Sequence, residues 1–463
     1  MPLAPGYTVE QQQLDVRYVA GAPAHLGIRA SYQLRNTGNR DLSFIEATLP
    51  GEQALGRQSL RVSVEGREVS VQPASGAGDQ LVRIPLDPSW PQKHRRRLLL
   101  EYELAPAAPN SSLVAVNDGS LHIRHAAGFP ALHPPKAFLA RGGERPKEIR
   151  LAIEVPADFR VIAAGREQGS RRLDNAVAYR FRIPQEDFEP FVIAGRYQEQ
   201  RVAAAGGAVL FWTFEPLPAE QAQIAGARLA KMFEMYRATF GPLGKGDSPA
   251  RVIETPARLG ERFSATAEAA GAAEPGVALL DRQTFALGVT SDAFLDLTEH
   301  QLAHTWFGLL IAPRREAALV LGEGLCDYAV LLAAEARSGE AERQRRIAGL
   351  LRHYDEARAQ AGERPLLAPA SDFTLAQRDV ATYKAALFYV ALEDQYGKEN
   401  VRRALAHLVS SLRFRQVAVE ELRAALELET KQDLSEFFRI WLNQKDIPAG
   451  FRARYQDAIK TKE

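Results

Sequence analysis

The chain has 463 residues, enough for two or more domains with ordinary hydrophobic cores. Its apolar fraction of 46%, charged fraction of 25% and formal net charge of +1 are typical of a soluble globular protein. A charge balance this close to neutral gives no electrostatic reason to expect nucleic acid or an anionic membrane as a partner. No apolar run approaches the roughly 18 residues of a membrane span.

The chain holds one cysteine, Cys326, so neither an internal disulfide nor a zinc site built from several thiolates can form. We expect Cys326 to be a buried, inert thiol, because its neighbours in the sequence are apolar. The first residues show neither the basic region nor the apolar run of a signal peptide. We therefore expect either a cytoplasmic protein or a mature exported protein whose leader is not in this chain.

Residues 1–200 are predicted to form an antiparallel β-sandwich domain. Short segments with partial alternation of apolar and polar residues recur there, and glycine, proline, asparagine and aspartate separate them. Asn36–Asn39 and Val64–Arg67 are turn signals of this kind. Many short strands with frequent turns are typical of two packed antiparallel sheets.

Residues 201–463 are predicted to form an α/β domain whose C-terminal part, from about residue 331, is helical. Val209–Phe214 is a predicted strand, and a helix is predicted from Pro216 to about Thr239 on the spacing of its apolar residues. Asp292–Leu310 is a second predicted helix. A third is predicted to carry Glu323 and to continue to about Gly339.

Two histidines and one glutamate form a candidate metal site. His300 and His304 lie four residues apart, so a helix places them on one face, within reach of a single ion. Glu323 follows His304 by 19 residues, on the next segment of helical pattern. Two imidazoles and one carboxylate are a ligand set of catalytic zinc, which keeps a fourth position for water.

Gln301 stands where peptidases with a His-Glu-x-x-His helix carry the general base. An amide does not accept a proton at neutral pH, so this side chain cannot take the base's role. Glu299 is not a substitute, because side chains at 299 and 301 project roughly 200° apart around a helix axis. We therefore expect Glu299 to point away from the metal.

The combination of His300, His304, the Trp-Phe-Gly that begins at Trp306, and the Glu-Gly that begins at Glu323 resembles the gluzincin zinc aminopeptidases. This is the family of aminopeptidase N and leukotriene hydrolase. The resemblance covers most of the chain, to about residue 450, and its specific motifs lie within 270–445. It implies a β domain followed by a thermolysin-like domain, with one Zn²⁺ on the two histidines and Glu323. It also implies hydrolysis of N-terminal residues from peptides by a zinc-bound water.

The resemblance implies a role for Glu274, which lies 26 residues before His300. Family members carry a Gly-x-Met-Glu motif there, on an edge strand, and its Glu binds the free amino group of the peptide. Here Ala273 replaces the Met, and Pro275 replaces the Asn that commonly follows. The alternative is a glutamate without this role in a loop of small residues.

Two further roles stay open. The family's tyrosine that donates a hydrogen bond to the oxyanion aligns with Thr382 when the neighbouring Lys384 is matched, but Tyr383 is adjacent and could serve after a one-residue shift. Asp327, one helical turn after Glu323, is either a carboxylate that orients a ligand imidazole or a surface acid.

The sequence leaves three functions in competition. One is a zinc aminopeptidase made inactive or weak by Gln301, whether engineering or evolution placed it there. Another is a natural zinc-binding pseudopeptidase, which binds peptides or partners without cleaving them. The last is a β-rich interaction protein with a vestigial helical domain, which predicts no metal. The pseudopeptidase draws support from the accumulated departures from the family pattern, which are Gln301, Ala273, Pro275, Thr382 and Val330.

Overall fold

The computed structural model describes residues 6–50, 55–73, 81–106, 114–124, 126–133, 146–185, 187–243, 249–255, 271–368 and 372–460. The chain divides into two compact units, Met1–Tyr197 and Gln198–Glu463. Strands make up the first unit, and a smaller sheet with many helices makes up the second. Among the described residues, no helix has both the length and the apolar character that a membrane crossing requires.

The described residues of the first unit form sixteen strands. In chain order they are β1 Thr8–Val19, β2 His25–Arg35, β3 Leu42–Thr48, β4 Leu55–Val64, β5 Arg67–Glu68, β6 Gln72–Pro73, β7 Leu81–Trp90, β8 Arg95–Pro106, β9 Val114–Asn117, β10 Ser120–Ile123, β11 Ala131–His133, β12 Glu148–Pro156, β13 Arg160–Ala163, β14 Arg166–Arg172, β15 Ala176–Pro184 and β16 Val192–Gly195. Alternation drives their formation: in β2 every second residue from Leu26 to Leu34 is buried.

These strands form one large sheet and two small ones. The large sheet has the order β14-β15-β12-β1-β2-β8-β4-β5, and the small sheets have the orders β13-β16-β10-β9 and β11-β3-β7-β6. Neighbours are antiparallel with one exception, since β1 pairs in parallel with β12, with Gln12 opposite Ile149. β12 begins more than a hundred residues after the end of β1, and alternation of side chains is the same in either strand direction. The pattern therefore predicted the β domain and not this parallel pair.

The second unit contains a five-stranded sheet and ten α-helices among its described residues. In chain order its main elements are β17 Gln198–Ala204, β18 Gly207–Thr213, α1 Ala219–Phe240, β19 Ala250–Thr255, β20 Gly271–Glu274, β21 Val277–Asp281, α2 Arg282–Ala286, α3 Asp292–Ala303, β22 Ala312–Pro313, α4 Leu325–Ser338, α5 Glu340–Ala361, α6 Leu375–Tyr396, α7 Lys398–Ser411, β23 Gln416–Val417, α8 Val419–Thr430, α9 Ser435–Phe438 and α10 Ala449–Lys460. Short 3₁₀ and π-helical turns connect several of them.

The sheet of the second unit has the order β17-β18-β19-β21-β20. Its three central strands run parallel, and β17 and β20 run antiparallel at the two edges. A tight turn joins β20 to β21, and Gly276 in that turn has a φ of 70°, which favours glycine. The edge strand β20 therefore ends in Glu274 next to a sharp reversal.

The helix α3 ends at Ala303, seven residues before the predicted end at residue 310. After it the chain makes wide turns, in which the N–H of Leu309 bonds to the carbonyl of His304 at 3.1 Å. Trp306 and Phe307 in these turns are fully buried, and the Nε1–H of Trp306 donates to the carbonyl of Gly241 at 2.8 Å. The apolar pattern continues past the helix because the turns are also part of the core.

Candidate metal centre

His300 lies on α3, and His304 is the first residue after this helix. Ser291 caps the helix, since its Oγ accepts a hydrogen bond from the N–H of Phe294 at 3.2 Å. His304 lies just past the last helical residue, but its N–H still bonds to the carbonyl of His300 at 3.3 Å. The helical spacing therefore extends through His304, and both imidazoles lie on one face.

Three atoms converge beside this face. Nε2 of His300 lies 3.1 Å from Nε2 of His304 and 3.2 Å from Oε2 of Glu323. Nε2 of His304 lies 3.6 Å from the same oxygen. A tetrahedral ion with bonds of about 2.0–2.1 Å has ligand atoms about 3.3 Å apart, so the three atoms fit one zinc ion. The Glu323 side chain is 41% exposed, so the cluster has a side that faces solvent.

Hydrogen bonds on the far side of each ring set its orientation. Nδ1 of His300 lies 2.7 Å from Oδ1 of Asp327, and Nδ1 of His304 lies 3.0 Å from the carbonyl oxygen of Phe307. Both partners accept hydrogen bonds, so each Nδ1 carries a proton and each Nε2 is directed at the cluster. Of the two alternatives for Asp327, the structure shows the contact that orients a ligand imidazole.

The electrostatics of the cluster favour a cation. Burial opposes a charge on His300, but hydrogen bonds and attraction from Asp327 and Glu323 outweigh it and raise the pKa of His300 to about 9. Burial also opposes the charge on Glu323, yet the two imidazoles hold the pKa of that carboxyl well below its usual range. The same negative potential that holds protons on the rings favours a divalent ion between them.

Glu323 is presented by a π-helical turn, Leu319–Gly324, that leads directly into α4. Such turns are often found at functional sites, because they redirect a side chain within a helix. Gly324 allows α6 to come close: a Cβ at this position would lie 2.5 Å from Cβ of Ala385. The segment that carries Glu323 is therefore packed directly against the helix that carries Tyr383.

Gln301 lies between the metal face of α3 and the edge strand β20. Its side chain is buried, and a Cβ added to Gly271 would lie 3.0 Å from its Cγ and 3.2 Å from its Cδ. The strand is also tied to the residues after α3, since the N–H of Gly276 donates to Oγ1 of Thr305 at 3.1 Å. Glu274, at the end of the same strand, is buried as well. The structure thus brings Gln301 and β20 together beside the metal ligands.

Tyr383 lies half-buried near the start of α6, with its ring centroid 5.9 Å from that of His353. Burial, with the negative charges of Asp379 and Asp327, raises the pKa of Tyr383 to about 12. Its hydroxyl therefore keeps its proton at neutral pH and can act as a donor. Tyr383 thus lies on the helix that packs against the segment carrying Glu323.

Cys326 is the residue of the site that sequence reasoning missed. Its thiol belongs to a group with ring nitrogens of His300 and His304 whose atoms lie within 4.8 Å of one another. Sγ also lies 3.8 Å from the carbonyl oxygen of Phe307, which is the partner of His304 Nδ1. Burial raises the pKa of the thiol to about 11, so Cys326 is a neutral neighbour of the two imidazole rings. The sequence signal was its position three residues after Glu323 on a helix.

Glu299 points away from the cluster, as predicted. It is fully buried and lies between two guanidinium groups, 3.2 Å from Nε of Arg228 and 2.8 Å from Nη1 of Arg337. Its hydrogen bonds join α3 to α1 and α4. Glu299 therefore does not face the histidine pair.

A histidine pair on one helix, a glutamate entering the next, and an edge strand beside them form the arrangement that we expected of a mononuclear zinc site in a metallopeptidase. Comparison with known proteins agrees, because residues 272–441 match the family model described as the Peptidase family M1 domain. Residues 272–441 are therefore similar to an M1 peptidase domain. The resemblance and the fold class predicted from the sequence are both confirmed.

Known relatives share this domain or the whole fold. Aminopeptidase M1-B of Oryza sativa subsp. japonica is 26% identical over 152 residues, which are 32% of this chain and 17% of the rice protein. The M1 zinc metallopeptidase of Deinococcus radiodurans, solved as a mutant bound to a Tyr-Ser-Ala substrate, is 19% identical with a TM-score of 0.67 over 96% of this chain and 95% of that chain. A two-domain M1 zinc metallopeptidase mutant bound to L-tryptophan gives a TM-score of 0.67 and 19% identity, with 96% of both chains covered. The chain thus spans 17% of the rice relative, and its likeness to the solved structures is one of fold.

Proposed function

We propose that this chain binds one zinc ion and recognises peptides through their free amino terminus, and that Gln301 leaves it with weak hydrolysis or none. The observation that carries the proposal is the convergence of Nε2 of His300, Nε2 of His304 and Oε2 of Glu323 within 3.1–3.6 Å. The M1 domain match and the peptide-bound relative support the same assignment.

The zinc would be held by the two imidazoles and Glu323, with Asp327 and the Phe307 carbonyl orienting the rings. Bound there, zinc supplies a Lewis acid that polarises the scissile carbonyl and acidifies water. Glu323 is partly exposed, so a peptide carbonyl can approach the solvent-facing side of the cluster. Tyr383, with its protonated hydroxyl, is the residue that we propose as donor to the developing oxyanion.

Gln301 is the residue that we expect to slow the proposed reaction. It is buried beside β20 on the metal face of α3, where a carboxylate would serve as general base. Its amide has the size of that carboxylate but does not take up a proton at neutral pH. Loss of a positioned base typically costs about 10² to 10⁴ in rate. The chain is therefore expected to hold peptides and to cut them slowly.

Glu274 is the group that we propose to bind the amino terminus of the peptide. It ends the edge strand β20, the strand that packs against Gln301, and so lies on the peptide side of α3. A buried carboxylate favours a charged partner such as an ammonium group. The tripeptide and the amino acid bound by the two solved relatives both carry a free α-amino group.

A second candidate is a natural pseudopeptidase that binds peptides and has lost cleavage by more than one change. The observation that favours it is Val330, which is buried on α4 where the family often places another acid. Ala273, also buried, replaces the family's methionine on β20. This candidate predicts the same metal and the same peptide contact, and differs in predicting that restoring the base does not restore hydrolysis.

The test is to measure zinc content and peptide binding together. We expect one zinc per chain, its loss in His300→Ala, and calorimetric binding of Tyr-Ser-Ala that disappears when its amino group is acetylated. Glu274→Gln should weaken the free peptide about tenfold or more, because a charge-assisted contact is lost. Glu316→Gln is the matched control, since this side chain is exposed. A chain without zinc, or one that binds both peptides equally, would contradict the proposal.

A further inference from the structure

The helix α3 has a second charged face, turned away from the metal ligands. Asp292, Asp296 and Glu299 recur on it at intervals of four and three residues, which places them in one stripe. Three arginines from three other helices meet this stripe: Arg228 of α1, Arg337 of α4 and Arg346 of α5. Ion pairs therefore connect α3 to three other helices on the face opposite the histidine pair.

Arg228 spans the whole stripe. Its Nη1 donates to Asp292 at 2.9 Å, its Nη2 to Asp296 at 3.3 Å and its Nε to Glu299 at 3.2 Å. The other two arginines add single strong contacts, from Arg337 Nη1 to Glu299 at 2.8 Å and from Arg346 Nη1 to Asp296 at 2.6 Å. Glu299 is the fully buried member of the stripe, whereas Asp292 is largely exposed.

Glu299 is the residue before His300, and both connect α3 to α4. His300 bonds to Asp327 near the start of α4 at 2.7 Å, and Glu299 bonds to Arg337 near its end at 2.8 Å. Adjacent residues project about 100° apart around a helix, so these two bonds leave α3 in different directions. Together they tie α3 to α4 in two directions, in addition to the restraint from the buried residues of α3.

The rotation of α3 against α4 decides whether the metal ligands meet. His300 and His304 lie on α3, whereas Glu323 enters α4, so any turn of one helix against the other separates Nε2 from Oε2. We propose that Glu299 is a positioning residue of the metal centre, which holds α3 in the rotation that brings both imidazoles to Glu323. The inference rests on the zinc site proposed above.

A role in stability alone explains this arrangement less well. A buried ion pair contributes little net stability, and well-packed apolar residues often replace one without loss. The guanidinium groups of Arg228 and Arg337 both lie within hydrogen-bond distance of the buried Glu299 carboxylate, at 3.2 Å and 2.8 Å. Charge-assisted hydrogen bonds of this kind hold their partners in a defined orientation. The helix α3, which carries the proposed metal ligands, needs such a fixed orientation.

The experiment compares Glu299→Gln with a matched variant in the same unit. Glu393→Gln is the control, because Glu393 is another buried carboxylate that bonds to Arg343 of α5 and to Tyr328 of α4 but touches no residue of α3 among the described contacts. For each chain the zinc dissociation constant is measured by chelator competition, and the unfolding temperature is measured without metal. The visible absorption spectrum of the Co²⁺ form reports ligand geometry directly.

We expect Glu299→Gln to raise the zinc dissociation constant about tenfold, as loss of groups that orient metal ligands does, and to change the Co²⁺ spectrum. Glu393→Gln should lower the unfolding temperature while it leaves zinc affinity within about twofold. Glu299→Asp, which keeps the charge but shortens its reach, should fall between Glu299→Gln and the natural chain, and it carries the test if Glu299→Gln does not fold.

The inference is overturned if Glu299→Gln and Glu299→Asp bind zinc as the natural chain does. It is also overturned if Glu393→Gln weakens zinc by the same factor, since general loosening would then explain both. If the natural chain itself binds no zinc, the proposed function fails and takes this inference with it. If the natural chain binds zinc and the Glu299 variants bind it equally well, only this inference fails and the proposed function stands.

Discussion

Asp327 accepts a hydrogen bond from Nδ1 of His300 across 2.7 Å, and it lies one turn after the ligand Glu323. One helical segment therefore supplies both a ligand and the group that orients another ligand. The bond holds Nδ1 of His300 as a donor, and so it directs Nε2 towards His304 and Glu323. Any change at Asp327 should act on the metal before it acts on the fold.

Asp327→Ala is expected to weaken zinc binding by about 10- to 100-fold, the usual range for loss of such a partner. The His300 ring then loses its anchor and can rotate or take the other tautomer. Chelator competition measures the change. Asp355→Ala is the control, because Asp355 bonds to a cationic side chain, Arg452, at 2.6 Å on another part of the same unit. Equal zinc affinity in both variants would exclude the orienting role.

Tyr383 and Thr382 can be told apart once the base is restored. In a Gln301→Glu background, Tyr383→Phe should lower kcat by about 10² to 10³, the range for loss of one oxyanion donor. Thr382→Ala should lower it much less, and neither change should alter zinc content. If Thr382→Ala has the larger effect, the family's tyrosine role has passed to position 382 and the assignment to Tyr383 is wrong.

Lys384 should matter for stability. It is fully buried, and its Nζ donates at 2.7 Å both to Oε1 of Glu363 and to the carbonyl of Gln444. Lys384→Ala leaves the buried Glu363 without its nearest cation, a loss that typically costs about 3–5 kcal/mol. Denaturant unfolding should show the decrease, and Lys445→Ala, at an exposed lysine nearby, should show almost none. Equal stability of the two variants would contradict this account.

His122 gives the first unit a sensitivity to acid. It is buried in β10, with Nε2 2.8 Å from the Tyr197 hydroxyl, and burial together with Arg124 lowers the pKa of His122 to about 3. The folded state keeps His122 neutral, whereas the unfolded chain takes up a proton below about pH 6.5. The contribution of neutral His122 to the free energy of unfolding is complete above pH 6.5. It is lost as the pH falls towards 3, by about 1.4 kcal/mol per pH unit.

His122→Gln should therefore reduce the loss of stability between about pH 6 and pH 4, because glutamine does not titrate. The measurement is the unfolding free energy of the natural chain and the variant over that range. His94→Gln, at an exposed histidine of the same unit, is the control. A slope against pH that is unchanged in His122→Gln would show that another group causes the acid sensitivity.

The convergence of His300, His304 and Glu323 was predictable because its signal is local. A spacing of four on a helix places His300 and His304 together whatever surrounds them, and Glu323 follows on the next helical segment. The same geometry predicted correctly that Glu299 points away. In both cases the inference used the periodicity of one helix and needed no knowledge of the packing.

What escaped prediction depends on contacts between distant segments. The end of α3 at Ala303 was missed because Trp306 and Phe307 stay buried after the helix has stopped. The parallel pairing of β1 with β12 was missed because alternation carries no strand direction. The arginines that bond to Glu299 come from helices about 40 to 70 residues away in the sequence, and no pattern within α3 predicts them.

We propose that the M1-like zinc site lacks its general base because Gln301 occupies that position. The measurement that tests it most directly is hydrolysis of fluorogenic aminoacyl substrates by the natural chain and by Gln301→Glu, with zinc content measured in both and Gln301→Ala as the control. We predict one zinc per chain throughout, and a gain of about a hundredfold or more in Gln301→Glu alone. If all three bind zinc and none cleaves, the claim is contradicted, and the natural pseudopeptidase becomes the better account.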